Sequence, residues 1–147
     1  MNIKNKIKFK FINHLLISGK KETCESILLK SFKELQKKSI KSHNKIVKLA
    51  VKNSALAFRI NKLKKKTGKN KSVREIPVFI SDNYERISWS LNYILKTSKK
   101  KHKNKFYQIL PVEFLLNSQN KGDAIKIKTE LYKQISLKKR LFLYFRW

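Results

Sequence analysis

Carboxylates are scarce in this chain: nine Asp and Glu stand against 37 Lys and Arg, for a formal net charge of +28. Such an imbalance repels itself and penalises the compact state until counter-charge arrives. It points to life against a polyanion: nucleic acid, an anionic membrane surface or an acidic protein. Cysteine is down to Cys24, which excludes a disulfide framework and a cysteine-based metal site. Histidine is nearly as sparse, with His14, His43 and His102 far apart among lysines. Nothing here assembles into a catalytic centre, so no catalytic residue, metal or cofactor is expected. The stretch "TGKNKS" faintly echoes a nucleotide-binding loop but lacks the glycine spacing such a loop needs. No apolar run approaches the roughly 18 residues of a membrane span. Glycine occupies three positions and proline two, and several of these mark element ends.

What is present is a core. Apolar residues make up 41% of the 147 positions and aromatics 11%, enough for one domain over residues 1–147. The basic start, "MNIKNKIKFKFINHLL", lacks a small-residue cleavage site and the Ser and Arg of a transit peptide, and reads as mature protein. Only five of the basic residues are Arg, while Asn and Ile are plentiful. That bias suits an AT-rich genome, as in an organelle or a reduced bacterium.

Periodicity predicts six helices and one hairpin. Phe9, Ile12, Leu15 and Leu16 mark a first helix ending near Gly19. Glu22 opens a second, whose stripe of Cys24, Ile27, Leu28, Phe32 and Leu35 faces away from Lys30, Lys33, Glu34 and Lys37. A third follows Ser42 with Ile46, Leu49, Ala50 and Leu56. Loosely alternating flanks around "KKKTGKNK" then read as a β-hairpin over about 58–80, with Gly68 at its turn and Pro77 on an edge strand. Its tip has no apolar residue to pack, so it should project. Asp82 and Glu85 resemble a capping box for a fourth helix along Tyr84, Ile87, Leu91, Ile94 and Leu95. The basic connector "KTSKKKHKNK" leads to a fifth helix on Phe106, Leu110 and Phe114, which Pro111 kinks or delays. Gly122 ends it, and Asp123 caps a sixth with Ile127, Leu131 and Ile135. The expected fold is mainly α, a six-helix bundle with a β arm between the third and fourth helices.

Several stretches resemble the small-subunit ribosomal protein S-seven family in its bacterial and organellar form. "KFINHLLISGKKETCESIL" is similar to the family's first helix, its Gly-Lys-Lys turn and the start of its second helix. "REIPVFI" resembles the returning strand of its hairpin, "NKGDAIK" the turn before its last helix, and Arg146-Trp147 its Tyr-Arg-Trp ending. Order and spacing hold from Lys10 to Trp147. The chain departs in its short N-terminus, in a hairpin tip with one Gly and Lys in place of Arg, and in Asn92-Tyr93 where the family has Arg-Trp. This drift suits a mitochondrial member, on a ribosome at the matrix side; a plastid or a bacterial cytoplasm is the alternative.

The resemblance implies a structural constituent of the small subunit that binds the 3′ domain of its rRNA and helps organise the head during assembly. Its arm would lie near the exit-site tRNA and the mRNA path. Neighbouring head and platform proteins, number eleven among them, would be its partners, with no membrane and no homo-oligomer. The candidate RNA contacts fall in five groups. They are Lys8 and Lys10 on the first helix; Lys20 and Lys21 beside the second helix's N-terminus; and Lys62, Lys64, Lys65, Lys66, Lys69, Lys71 and Arg74 on the arm. The connector adds Lys99, Lys100, Lys101 and Lys103, and the last turn and tail add Lys121, Arg140, Tyr144, Arg146 and Trp147. Lysine favours phosphate positioning over base readout, whereas Tyr144 and Trp147 suit stacking on unpaired bases. On the residues alone, each cluster also reads as solvated surface, Cys24 as core, Trp89 as packing and the histidines as surface. The rivals are a free-standing DNA- or RNA-binding protein and a membrane-active cationic helix protein.

Overall fold

The computed structural model describes residues 3–65, 72–101, 105–138 and 140, with side chains described over 7–62, 75–101, 105–138 and 140. The element order is α1 (Ile3–Leu15), α2 (Lys21–Lys38), α3 (His43–Ser54), β1 (Phe58–Lys65), β2 (Ser72–Phe79), α4 (Asn83–Lys100), α5 (Phe106–Ser118) and α6 (Asp123–Leu137). It is the mainly helical bundle with an interposed antiparallel hairpin that the sequence predicts.

The bundle is organised around α5. This helix carries one charged residue in "FYQILPVEFLLNS", and a helix apolar on most sides belongs inside. It packs against α2, α3, α4 and α6. Leu110 and Phe114 are fully buried with Leu28, Leu35, Ala50, Leu91 and Ile94, and the Phe114 ring meets Phe11 of α1 at 5.7 Å. Pro111 neither delays nor ends the helix, which starts five residues earlier and runs on to Ser118.

In α1 the buried stripe is Ile7, Phe11, Ile12 and Leu15, leaving Phe9 and Leu16 exposed. Ile12 and Leu15 are buried as expected, while Ile7 and Phe11 take the places of Phe9 and Leu16, because apolar residues cover much of this helix. Leu49 and Tyr84 likewise face solvent, and Leu56 is buried beyond the end of α3. In α2, Cys24, Leu28 and Leu35 occupy the core as read, with Ser31 bonded back to the Ile27 carbonyl at 2.8 Å. His14 and His43, read as surface, are half-buried: His14 bonds Ser88 at 2.7 Å and His43 packs on Phe32. His102 lies outside the described residues.

The hairpin root is built into the body. Ile80 donates to the Ala57 carbonyl at 2.8 Å, and the register pairs Phe58 with Phe79 and Ile60 with Pro77. Alternation from the Ala57–Ile80 bond puts Pro77 in a non-hydrogen-bonded pair, where its missing N–H costs no ladder bond. Buried Leu56 and Ile80 anchor the root, and Phe58 and Phe79 meet edge-on at 5.4 Å.

Chain reversals use a different logic from the one the glycines suggest. Ser18 (φ 52°) and Gly19 (φ 73°) are both left-handed and turn the chain from α1 into α2. After α5 the left-handed residue is Asn120 (φ 61°), not Gly122. Gly122 is the extended N-cap of α6, and Asp123 is that helix's first residue rather than its cap. Gly122 is present for space: a Cβ there would lie 2.0 Å from Oδ1 of Asn117, which is itself fully buried and bonded to the Glu113 carbonyl at 2.8 Å. Gly122→Ala should therefore destabilise the fold by about 2–3 kcal/mol through overpacking. At Gly19 a Cβ meets nothing within 4 Å, so Gly19→Ala should cost only the left-handed backbone strain, about 1 kcal/mol. Urea melts of the two variants should separate these costs.

Candidate nucleic-acid interface

Five of the nine carboxylates, Glu75, Asp82, Glu85, Glu113 and Asp123, sit at helix starts or between elements. Glu113 is 0% exposed on α5; a buried charge needs a partner or the fold suffers heavily. Lys101, just past α4, pairs with Glu113 and reaches Asp123 at 2.8 Å, so one ammonium ties α4, α5 and α6. These hydrogen bonds, to Asp123 first, raise the Lys101 pKa, and the Asp123 carboxyl is lowered chiefly by its bond to Lys101. At the hairpin root, Glu85 of α4 takes Arg59 of β1 at 2.6 Å. Glu75 of β2 takes Lys138 and, across the ladder, Lys62 at 3.4 Å. Its carboxyl is lowered first by the hydrogen bond from Lys138. Asp82 caps α4 by accepting from Tyr84 N at 2.8 Å. Its expected capping-box partner Glu85 is engaged instead by Arg59 and by the indole of Trp89, at 3.3 Å.

Some lysines are internal fasteners as well. Lys10, a candidate RNA contact, is only 5% exposed; its ammonium donates to the Tyr84 carbonyl and lies over the Tyr84 ring. Burial is the main cause of its lowered pKa. It joins α1 to α4 and is withdrawn from the outer surface. Lys128 donates to the Asn53 carbonyl at 2.8 Å, where a cation suits the C-terminal end of α3. Asn53 in turn donates to the Asn117 and Ser118 carbonyls at 3.1 and 3.0 Å, closing the end of α5.

Lys8, Lys20, Lys21, Lys62, Lys99, Lys100, Lys121 and Arg140 are all exposed. Lys20 and Lys21 flank the start of α2, with free ammonium groups beside the positive end of the helix. Lys100 and Lys101 come together with Lys126 around an opening between the end of α4 and the start of α6. Lys64, Lys65 and Arg74 lie on the paired strands, though their side chains lie outside the described residues. So do Lys66, Lys69 and Lys71 at the tip, Lys103 in the connector, and Tyr144, Arg146 and Trp147 in the tail. Sequence reasoning passed over Lys45, Lys48 and Lys52, which form an exposed row on α3. Their i, i+3, i+7 spacing was the available signal. The described surface thus offers cations from α1, α2, α3, the arm and the α4–α6 corner.

The family model described as "Ribosomal protein S7p/S5e" matches residues 2–139 of the chain. A Vibrio campbellii protein named "Small ribosomal subunit protein uS7" is 28% identical over 144 residues, 98% of this chain and 88% of the relative. A protein of the same name from Desulfitobacterium hafniense is 26% identical over the same shares.

Two substitutions separate fasteners from surface. Lys101→Met leaves Glu113 buried without its cation and should lower stability by about 2–4 kcal/mol, while Lys100→Met should stay within about 0.5 kcal/mol. Chemical denaturation of both variants checks this. His14 gives a pH signature: burial, and then the Lys10 charge, lower its pKa from 6.5. The unfolded chain binds that proton first, so the stabilisation is complete above about 6.5 and is lost as pH falls towards the lowered folded value. Melting temperature should drop as pH falls below about 6.5, and His14→Gln should flatten that part of the profile.

Proposed function

The chain belongs to the ribosomal protein S7p/S5e family, and from that membership we propose how this member meets its RNA. It is a structural, non-enzymatic component of the small ribosomal subunit that serves translation. Our reading is that it binds the 3′ domain of the small-subunit rRNA and organises the subunit head. Its arm extends towards the exit-site tRNA and the mRNA path, beside protein number eleven. The single observation that carries the electrostatic part is the division of charge. The carboxylates draw Lys101, Arg59 and Lys138 into internal pairs, while lysines of α1, α2, α3 and the α4–α6 corner stay exposed.

A-form RNA keeps its base edges in a deep, narrow groove, so these lysines meet phosphates and backbone shape. The arm fits this role because its root is fixed by Arg59–Glu85 and Glu75–Lys138. The candidate contacts stand as proposed, Lys10 and Lys101 excepted, since the Lys10 ammonium is internal and that of Lys101 is held by Glu113 and Asp123. The lysine-rich, arginine-poor composition supports a mitochondrial ribosome, with plastid and bacterial ribosomes as the alternatives.

If on the order of ten lysines engage phosphates, affinity for an isolated rRNA head-domain transcript should fall about 10³- to 10⁵-fold between roughly 50 and 200 mM salt. Filter binding measures it, and a nearly flat salt response would reject the electrostatic account. Exchanging Lys62, Lys64, Lys65 and Lys66 for Gln should shallow the salt slope by about 3–4 while leaving the melting temperature nearly unchanged. Equal affinity for random duplex DNA would favour a free-standing DNA-binding protein instead. Co-sedimentation with small subunits through moderate salt tests the ribosomal placement directly.

A further inference from the structure

A groove of about 280 Å³ opens where α1, α2 and α3 meet. Ile7, Phe11, Phe32 and Val47 supply its apolar wall, and no carboxylate lines it. His43 and Asn44, at the start of α3, are its polar members. The imidazole packs on Phe32 with ring centroids 5.2 Å apart and planes 31° from parallel. Gln36 Nε2 lies 3.0 Å from His43 Nδ1. With that amide donating, the neutral ring carries its proton on Nε2, which is then its free donor. Asn44 adds an amide able both to donate and to accept. Lys8 from α1 and Lys48 from α3, both exposed, complete the lining.

Resting on the RNA-binding reading above, we propose that this groove receives one unstacked nucleobase of single-stranded RNA, with Lys8 and Lys48 on the adjoining phosphates. Ligand sites for drug-sized molecules run about 300–1,000 Å³; this one is at or below that floor and suits a single ring system. Apolar and aromatic walls favour a base's flat face, which carries no charge. The amide and imidazole answer the donors and acceptors along its edge. Cations on two different helices match a backbone that enters on one side and leaves on the other. An acidic amphipathic helix, the competing occupant, would want successive sockets along a groove, and among the described residues the α1–α2–α3 groove offers a single one. Lys48 belongs to the exposed α3 row of Lys45, Lys48 and Lys52, to one member of which the site gives a role.

Methyl NMR of the full chain, titrated with AMP and with UMP, tests the proposal. Saturable shifts confined to the methyls of Ile7, Leu29 and Val47 are expected. Leu29 lines the groove yet is 52% exposed, so Leu29→Trp fills the site without entering the core. That variant should lose the shifts and bind a ten-nucleotide single strand about tenfold more weakly, the contribution of one stacked base. Its affinity for duplex RNA should stay within about twofold, since phosphate contacts dominate there. Asn44→Ala, which removes only edge contacts, should weaken the single strand and spare the duplex in the same way. Silent groove methyls, with duplex binding intact, would overturn the groove proposal alone. So would shifts produced by an acidic peptide but by neither nucleotide. Loss of all RNA binding, duplex included, would instead overturn the functional reading and this occupant with it.

Discussion

A fully buried carboxylate in a chain of net charge +28 is the constraint on which the architecture turns. Glu113 sits on the helix that every neighbouring helix but one packs against, and Lys101 meets it from the end of α4. The same ammonium holds Asp123 at the start of α6. The end of α4, the middle of α5 and the start of α6 are therefore tied by one cation between two acids. A pair of this kind adds little net stability over an apolar replacement, but breaking it leaves a stranded charge. Its effect is positional: α4, α5 and α6 have one arrangement in which Glu113 is answered. Gly122 serves the same corner by leaving room for Asn117, whose amide bonds the Glu113 carbonyl.

The hairpin repeats the device at its root. Arg59–Glu85 attaches β1 to α4 and Glu75–Lys138 attaches β2 to the end of α6. Exposed ion pairs are usually worth about 1 kcal/mol or less, and their role here is to orient a two-stranded ribbon that has little core of its own. Apolar burial at Leu56 and Ile80 supplies the anchoring. With most of the acids at joints and lysines far outnumbering the rest, the outer surface keeps an excess of lysine, and the compact state gains from any phosphate that lowers its self-repulsion. Binding and folding are then linked: what binds the folded form also stabilises it.

Much of this was legible in the chain. The α2 stripe, the six helices, the hairpin and the core position of Cys24 follow from apolar spacing, because burial of one face is a local, periodic demand. Several readings failed for non-local reasons. Phe9 and Ile7 both fit a helical stripe, and only the neighbours of α1 decide which turns inward. Lys10 looks like any surface lysine until Tyr84, distant in sequence, presents its carbonyl. Gly122 suggests the end of α5, yet Asn120 takes the left-handed turn there, and Gly122 is required by the crowding of Asn117. The capping-box pattern at Asp82 and Glu85 is real in sequence, but Arg59 competes for the second carboxylate. The row Lys45, Lys48 and Lys52, by contrast, was visible in the spacing and passed over among so many lysines.

The division of labour has a consequence for specificity. A lysine is a flexible point charge, and its phosphate contacts carry little sequence information. On the proposed RNA-binding reading, a surface whose cations are almost all lysine distinguishes one RNA fold from another mainly through the distances between its cationic patches. Those distances are set by the joints: Lys101 between Glu113 and Asp123, Lys10 on Tyr84, Lys128 on Asn53, and the two clamps at the hairpin root. On that reading, selectivity would reside in the joint-forming acids and internal lysines, while the exposed lysines would set affinity and its dependence on salt. Loosening a joint would spread the patches over many spacings, and each added spacing admits RNA shapes that the rigid body rejects.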